Sequence, residues 1–371
     1  MTPREAPIAV RHYLPGGRED GGGIGRLVGH LVDAATLDGE RHDVCDTRGP
    51  RWTVPGSLLH LAGAARHVTM EHSSAPDRVH HIHIAGRGST ARKLLLTAAA
   101  RGSGARHCLH LHDYDYACDF VRRPSWVRAR IQTMFRSCDG VIVLGERDRD
   151  TVRDLIGVPA DRIEVIHNCV PDPGERATPP VADEPLILFL GTLGERKGVP
   201  ELLRALATAE MRALRWRAVL AGDGPVQKYR DIAGATGLAD RVTMPGWLTR
   251  TQVRALCQSA DLLVLPSHGE GLAMAVLDGL ASGLPVVTTR VGAHEEVITD
   301  GVTGVFVPPG DVDALAGAMG KLIRNPGERN RLSVNGRAHY LASFGMVGYL
   351  RRLRTFYHAA GGGRPPVISE V

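Results

Sequence analysis

Short apolar, β-branched runs alternate with amphipathic stretches along almost the whole chain. In the first half, Ile8–His12, His81–Ala85, His107–His112 and Gly140–Leu144 read as strands. In the second half, Leu186–Leu190, Arg217–Ala221, Arg241–Met244, Leu262–Pro266, Val286–Thr289 and Val305–Val307 do so. Helical patterns such as Ile24–Leu37, Val199–Ala207 and Val276–Ser282 fall between them. Strand–helix–strand alternation predicts parallel sheets covered on both faces, an α/β class. Val170–Asp183 holds four prolines, lacks apolar periodicity and reads as a linker. The expected organisation is a first domain at 1–170, a linker at 171–184 and a second domain at 185–340. The segment 341–371 would hold a helix crossing back to the first domain and a frayed tail. Two doubly wound, Rossmann-like domains imply a cleft between them, with ligands beyond the carboxyl ends of the strands.

Composition narrows this little. Of 371 residues, 43% are hydrophobic and 23% charged, which excludes disordered, collagen-like and coiled-coil chains. The net charge of +5 comes without a lysine/arginine block, so no nucleic-acid partner is expected. No apolar run approaches ~18 residues and no leader-like segment opens the chain, so a cytoplasmic location is expected. Six scattered cysteines without a C-x-x-C read as free thiols.

The loops after the second-half strands carry the chemistry. Leu186–Leu190 runs into Gly191-Thr192-Leu193-Gly194-Glu195-Arg196-Lys197-Gly198, with a helix starting near Pro200. Two adjacent cations at a strand-to-helix turn suit a diphosphate, although such a turn standing alone is often only a solvated basic one. After Leu262–Pro266, Ser267–Gly271 reads as a loop and Leu272–Ser282 as a helix ended by Gly283. The helix N-terminus offers free N–H donors to a phosphate. Glu270 precedes that helix. Asp278 lies eight positions on, ~80° around and ~12 Å along a helix, so both can serve one long ligand. Gly222-Asp223-Gly224-Pro225 and Pro245-Gly246-Trp247 close the next two strands. Alone, each reads equally well as a turn.

Together these residues resemble family 4 of the glycosyltransferases, the retaining family with the GT-B fold. The motifs run in family order: Gly191…Arg196-Lys197-Gly198, Gly222-Asp223-Gly224-Pro225, Gly246, then Pro266-Ser267…Glu270-Gly271…Asp278…Gly283-Leu284-Pro285. Gly301-Val302-Thr303-Gly304…Pro308-Pro309-Gly310-Asp311 also fits. In the first half Gly21–Gly25 resembles the family's glycine-rich loop. Val28 stands where a dinucleotide fingerprint needs its third glycine. His81-Ile82-His83…Arg92-Lys93 and His110-Leu111-His112 are similar to the exopolysaccharide-building branch. Asp161–Val170 matches the interdomain segment, with His167 and Cys169 in place of proline and glycine.

The resemblance implies a GT-B fold of two facing Rossmann-like domains and transfer of a sugar from a nucleoside-diphosphate donor, UDP-sugar favoured, with retention. Arg196 and Lys197 would hold the diphosphate, and Glu270 the transferred sugar. The amides of Gly271, Leu272, Ala273 and Met274 would assist, and Asp278, one methylene shorter than the family's glutamate, would bind ribose. Gly191, Gly222 and Gly246 would line the donor site. Gly22 and Gly23 would let the first-domain backbone approach the ligand, and His112 would position the reacting sugar. The resemblance implies no metal and no cofactor beyond the donor. The acceptor would be a saccharide, a lipid-linked saccharide or a small molecule. Basic Pro124–Phe135 is a candidate contact with an anionic membrane face.

Rival readings remain at this level. His81, His83, His110 and His112 would make a metal site conceivable if their strands are neighbours. Asp113-Tyr114-Asp115 has a D-x-D pattern, better read as chance after a strand. A nucleotide-sugar 2-epimerase shares the fold, and a binding module with a decayed site is the non-enzymatic alternative.

Overall fold

The computed structural model describes residues 8–37, 39–49, 53–176 and 184–360. Half of the expected linker (177–183) and the expected tail (361–371) lie outside them. The chain divides into two compact units, one of 1–168 with 346–371 and one of 169–345.

The first unit is a six-stranded parallel sheet: β1 Ala9–Leu14, β2 Arg41–Asp46, β3 Val79–Ile84, β4 His107–Leu111, β5 Gly140–Val143 and β6 Ile163–Val165, in the order β2-β1-β3-β4-β5-β6. Strands β2 and β6 escape the hydrophobic pattern. Both are edges, β2 carries Arg41, Asp43 and Asp46, and β6 is only three residues long. On one face Tyr13, Ile82, Ile84, Leu109, Leu111, Val141 and Val143 join a core with Leu96, Ala100, Phe120 and Phe135 from the covering helices. Period-two alternation sends His81, His83 and His110 to the opposite face. The helix Met346–Ala360 belongs to this unit, where Tyr357 Oη meets His81 Nδ1 at 2.7 Å.

The second unit is again six parallel strands: β7 Leu186–Leu190, β8 Arg217–Ala221, β9 Val242–Gly246, β10 Leu262–Leu265, β11 Val286–Thr289 and β12 Val305–Val307. Their order is β12-β11-β10-β7-β8-β9. Strands β7, β10 and β11 are almost wholly buried, as a sheet covered on both faces requires. The chain winds from β7 outward to β9, returns beside β7 as β10 and winds the other way. The loops after β7 and β10 therefore part at a topological switch point, where open parallel sheets bind ligands. Among the described residues no helix is long and apolar enough to cross a membrane.

Candidate functional site

At that switch point the chain brings together Arg196, Lys197 and Glu270. Past β7 the chain makes a single 3-10 turn, Glu195–Lys197, ended by Gly198 at φ +69°. A Cβ on Gly198 would stand 2.0 Å from the Pro266 carbonyl oxygen, so only glycine lets this turn close on the end of β10. The loops are also tied by His268 N–H to Arg196 O at 2.8 Å and by Arg196 Nη1 to Gly269 O at 2.7 Å. Lys197 Nζ lies 2.5 Å from Glu270 Oε1, and Arg196 Nη1 3.3 Å from Oε2. Ser267 donates its hydroxyl to Oε1 at 2.7 Å.

Burial alone would raise the Glu270 carboxyl, but Lys197, Arg196 and the hydroxyl outweigh it and hold it below its usual range. Two cations thus face one buried carboxylate. Arg196 keeps 40% of its side chain exposed, against 13% for Lys197 and 8% for Glu270.

The neighbouring helix is Met274–Ala281, two residues shorter at its start than the apolar pattern predicts. The reason is His294. Its Nε2 accepts the Ala273 N–H at 3.5 Å while its Nδ1–H donates to Thr289 O at 3.1 Å, and Ala273 stays extended. The Ala273 amide, expected to face a phosphate, is turned to His294 in this structure. The first-turn N–H groups of Met274 and Ala275 have no intrahelical acceptor. Asp278 is the one residue of this helix that is not buried.

The glycines interlock the adjoining loops. A Cβ on Gly222, at φ +155°, would stand 1.9 Å from Gly191 O, and Gly222 N–H donates to Gly246 O at 2.9 Å. Sequence reasoning placed Ser267 in the motif without a role and missed Thr289 and His294. Thr289 donates its hydroxyl to Ser267 O at 2.5 Å, so β11 braces the Glu270 loop. A strand ending in two threonines was the only available signal.

In the first unit, Gly22 and Gly23 open the helix Gly22–Leu37, and a Cβ on either meets nothing within 4 Å. His112 follows β4, donates its N–H to Ile84 O at 2.8 Å and joins Nε2 to His83 Nδ1 at 2.9 Å. Ring nitrogens of His12, His81 and His83, and of His83, His110 and His112, lie within 4.8 Å of one another, close enough for a metal. His81 and His83 stack, 8° from parallel at 4.3 Å, while His12 and His110 tilt against His83. The Asp113 carboxylate of the D-x-D pattern caps its own turn, accepting the Asp115 N–H at 3.4 Å.

Two family models match in succession. "Glycosyltransferase Family 4" matches residues 28–172, and "Glycosyl transferases group 1" residues 175–339. Among curated proteins, the alpha-D-kanosaminyltransferase of Streptomyces kanamyceticus is 28% identical, over 61% of this chain and 62% of that protein. The 2-deoxystreptamine N-acetyl-D-glucosaminyltransferase of Streptomyces fradiae is 28% identical over 68% and 64%. The matches thus span a little under two thirds of these relatives' own length. Among solved structures, sucrose-phosphate synthase from Thermosynechococcus elongatus superposes with a TM-score of 0.79 at 18% identity, over 96% of this chain and 99% of that one. Anabaena Alr3699/HepE in complex with UDP gives 0.71 at 17%, over 94% and 98%. The consecutive family matches and the two parallel sheets agree: the chain belongs to glycosyltransferase family 4 and has the GT-B fold.

Proposed function

We propose that this protein is a retaining glycosyltransferase that moves a hexosyl or N-acetylhexosaminyl group from a nucleoside-diphosphate sugar, UDP-sugar favoured, to a hydroxyl. The acceptor is a saccharide, a lipid-linked saccharide or a small molecule such as an aminated natural product. One observation carries the reading: Arg196 and Lys197 converge with Glu270 at the switch point of the second unit, beside the first turn of Met274–Ala281.

Cleaving the anomeric carbon–oxygen bond leaves an oxocarbenium-like sugar and a nucleoside diphosphate. The main task is to stabilise the departing anion, which fixed cations and helix amides do without reorganising. Arg196 and Lys197 bind the diphosphate, the Met274 and Ala275 amides add donors, and Asp278 bonds the ribose. Glu270 contacts the sugar. The leaving phosphate oxygen takes the acceptor hydroxyl's proton on the same face, so configuration is kept and no carboxylate is alkylated. The two cations supply the charge neutralisation, so EDTA should leave turnover unchanged. The exposed Trp126 and the arginines of the helix Ser125–Arg136 would meet a membrane if the acceptor is lipid-linked.

The test is a thermal-shift and turnover panel of UDP-, GDP- and ADP-sugars against amino sugars, aminocyclitols and polyprenyl-linked saccharides. Stabilisation by one nucleotide series with acceptor-dependent release of that diphosphate supports the reading. Binding without release across the panel would favour the inactive module, and acceptor-independent turnover an epimerase.

A further inference from the structure

The first unit buries a file of imidazoles that leads to His112. Arg354 Nε donates to Glu40 Oε1 at 2.6 Å. Glu40 Oε2 lies 3.2 Å from His42 Nε2. His42 Nδ1 then meets His12 Nε2 at 3.0 Å, His12 Nδ1 meets His83 Nε2 at 3.1 Å, and His83 Nδ1 meets His112 Nε2 at 2.9 Å. His12, His42 and His83 are buried, while His112 at the end is partly exposed. A second branch, Tyr357–His81–His110, meets this file in ring contacts, His81 against His12 and His83 and His110 against His83 and His112, and ends at His110 Nε2, buried without a hydrogen-bond partner.

We propose that Glu40, acting through His42, His12 and His83, dictates which nitrogen of His112 carries its proton, leaving Nδ1 as a lone-pair acceptor for a substrate hydroxyl. The proton placement follows by elimination. The bonds from His42 and Arg354 hold the Glu40 carboxyl below its usual range, so it is ionised and can only accept. His42 Nε2 must therefore donate. Arg354 already balances Glu40, so a second proton on His42 would leave the Arg354–Glu40–His42 group with a net positive charge, and its Nδ1 accepts. A neutral imidazole has one N–H, so the pattern passes down the file unchanged. His12 Nε2–H donates to His42, His83 Nε2–H to His12, and His112 Nε2–H to His83. Burial keeps His12, His83 and His112 uncharged at neutral pH. Each step uses the lone pair a metal would need, so the file and a metal at His83 exclude one another.

His112 thereby becomes an acceptor aimed at a hydroxyl rather than a donor. Glu40, His42, His12 and His83 are positioning residues. The role at a sugar hydroxyl rests on the proposed transferase reading; the tautomer itself does not.

Long-range proton–nitrogen NMR of the imidazoles in the full chain at pH 8, without donor or acceptor, reads the tautomers directly. His112 is assigned by loss of its signals in His112→Asn. The expected result is Nε2–H at His12, His42, His83 and His112. In Glu40→Gln the carboxamide oxygen keeps Arg354 and its NH2 donates to His42, which reverses the file and converts His112 to Nδ1–H. Turnover should then fall at least 10-fold with nucleotide affinity unchanged. Nδ1–H at His112 in the parent protein, or an unchanged His112 tautomer in folded Glu40→Gln, would overturn the proposal. So would a stoichiometric shift of the His83 and His112 signals by Zn2+. If Glu40→Gln does not fold, the parent spectrum alone decides. Absence of glycosyl transfer with every donor would defeat the transferase reading and leave the tautomer result standing.

Discussion

Lys197 Nζ and Glu270 Oε1 stand 2.5 Å apart, joining the turn after β7 to the loop after β10. The contact seats a buried carboxylate against two cations in the second unit. Replacing Lys197 or Arg196 by alanine should lower turnover ~100-fold or more, because each removes charge stabilisation from the departing diphosphate. Steady-state rates at saturating donor check this, and near-normal values would discard the cations' role. Glu270→Gln should retain or tighten diphosphate binding by calorimetry, since it removes the competing anion, while transfer falls.

The same pair sets an acid dependence. The Glu270 carboxyl is depressed in the folded state, so its stabilising effect is present above its unfolded value near 4.5 and is lost as pH falls through its lower folded value. Melting temperature between pH 6 and 3 should therefore drop further for the parent than for Glu270→Gln. Parallel curves would show that the ion pair adds nothing.

A separate, higher window belongs to the first unit. Burial depresses His12, His81, His83 and His110 well below 6.5, and His112 to about 3. A histidine depressed on folding stabilises the fold above its unfolded value, and that gain is lost as pH falls below ~6.5, because the unfolded chain binds the protons first. Each costs up to about 1.4 kcal/mol per pH unit. Stability from urea unfolding should fall steeply between pH 6.5 and 5, where Glu270 is still silent. A flat profile there would mean these rings are protonated in the folded protein.

The glycine interlock has its own measure. Gly222→Ala forces a Cβ to 1.9 Å from Gly191 O at a φ that disfavours side chains, and should cost ~1–3 kcal/mol. Gly23→Ala, with nothing within 4 Å, should stay within about 0.5 kcal/mol of the parent. Equal stability of the two variants in urea would refute the close-packed loops.

Asp278→Glu should preserve or strengthen nucleotide affinity, since it restores reach toward a ribose from the one unburied position of its helix. Asp278→Ala should weaken it ~10-fold, the scale of one hydrogen bond to a charged group. Unchanged affinity in the alanine variant, by calorimetry with the nucleoside diphosphate, would remove the ribose contact.

The strands β7, β8, β11 and β12 were legible to the residue, because each centres on a short apolar or β-branched run closed by glycine, arginine or proline. Arg196, Lys197 and Glu270 were legible for a related reason. They sit in short loops directly after such strands, and strand ends are where parallel sheets bind ligands. The start of Met274–Ala281 was not legible, because Leu272 and Ala273 suit a helix, and the bonds from Ala273 to His294 and from Ala293 to Gly271 that fix this segment come from a distant part of the chain. The histidine file was hidden most completely. His83, His110 and His112 are visible as alternating pairs, but His12, His42 and Glu40 join them only once β2, β1, β3 and β4 lie side by side. Local pattern determined the elements and the residue types at their ends, since both depend on neighbours along the chain. Tertiary structure decided which amides are spent, which charges are balanced and which nitrogen carries a proton, since those depend on groups that only strand order makes adjacent.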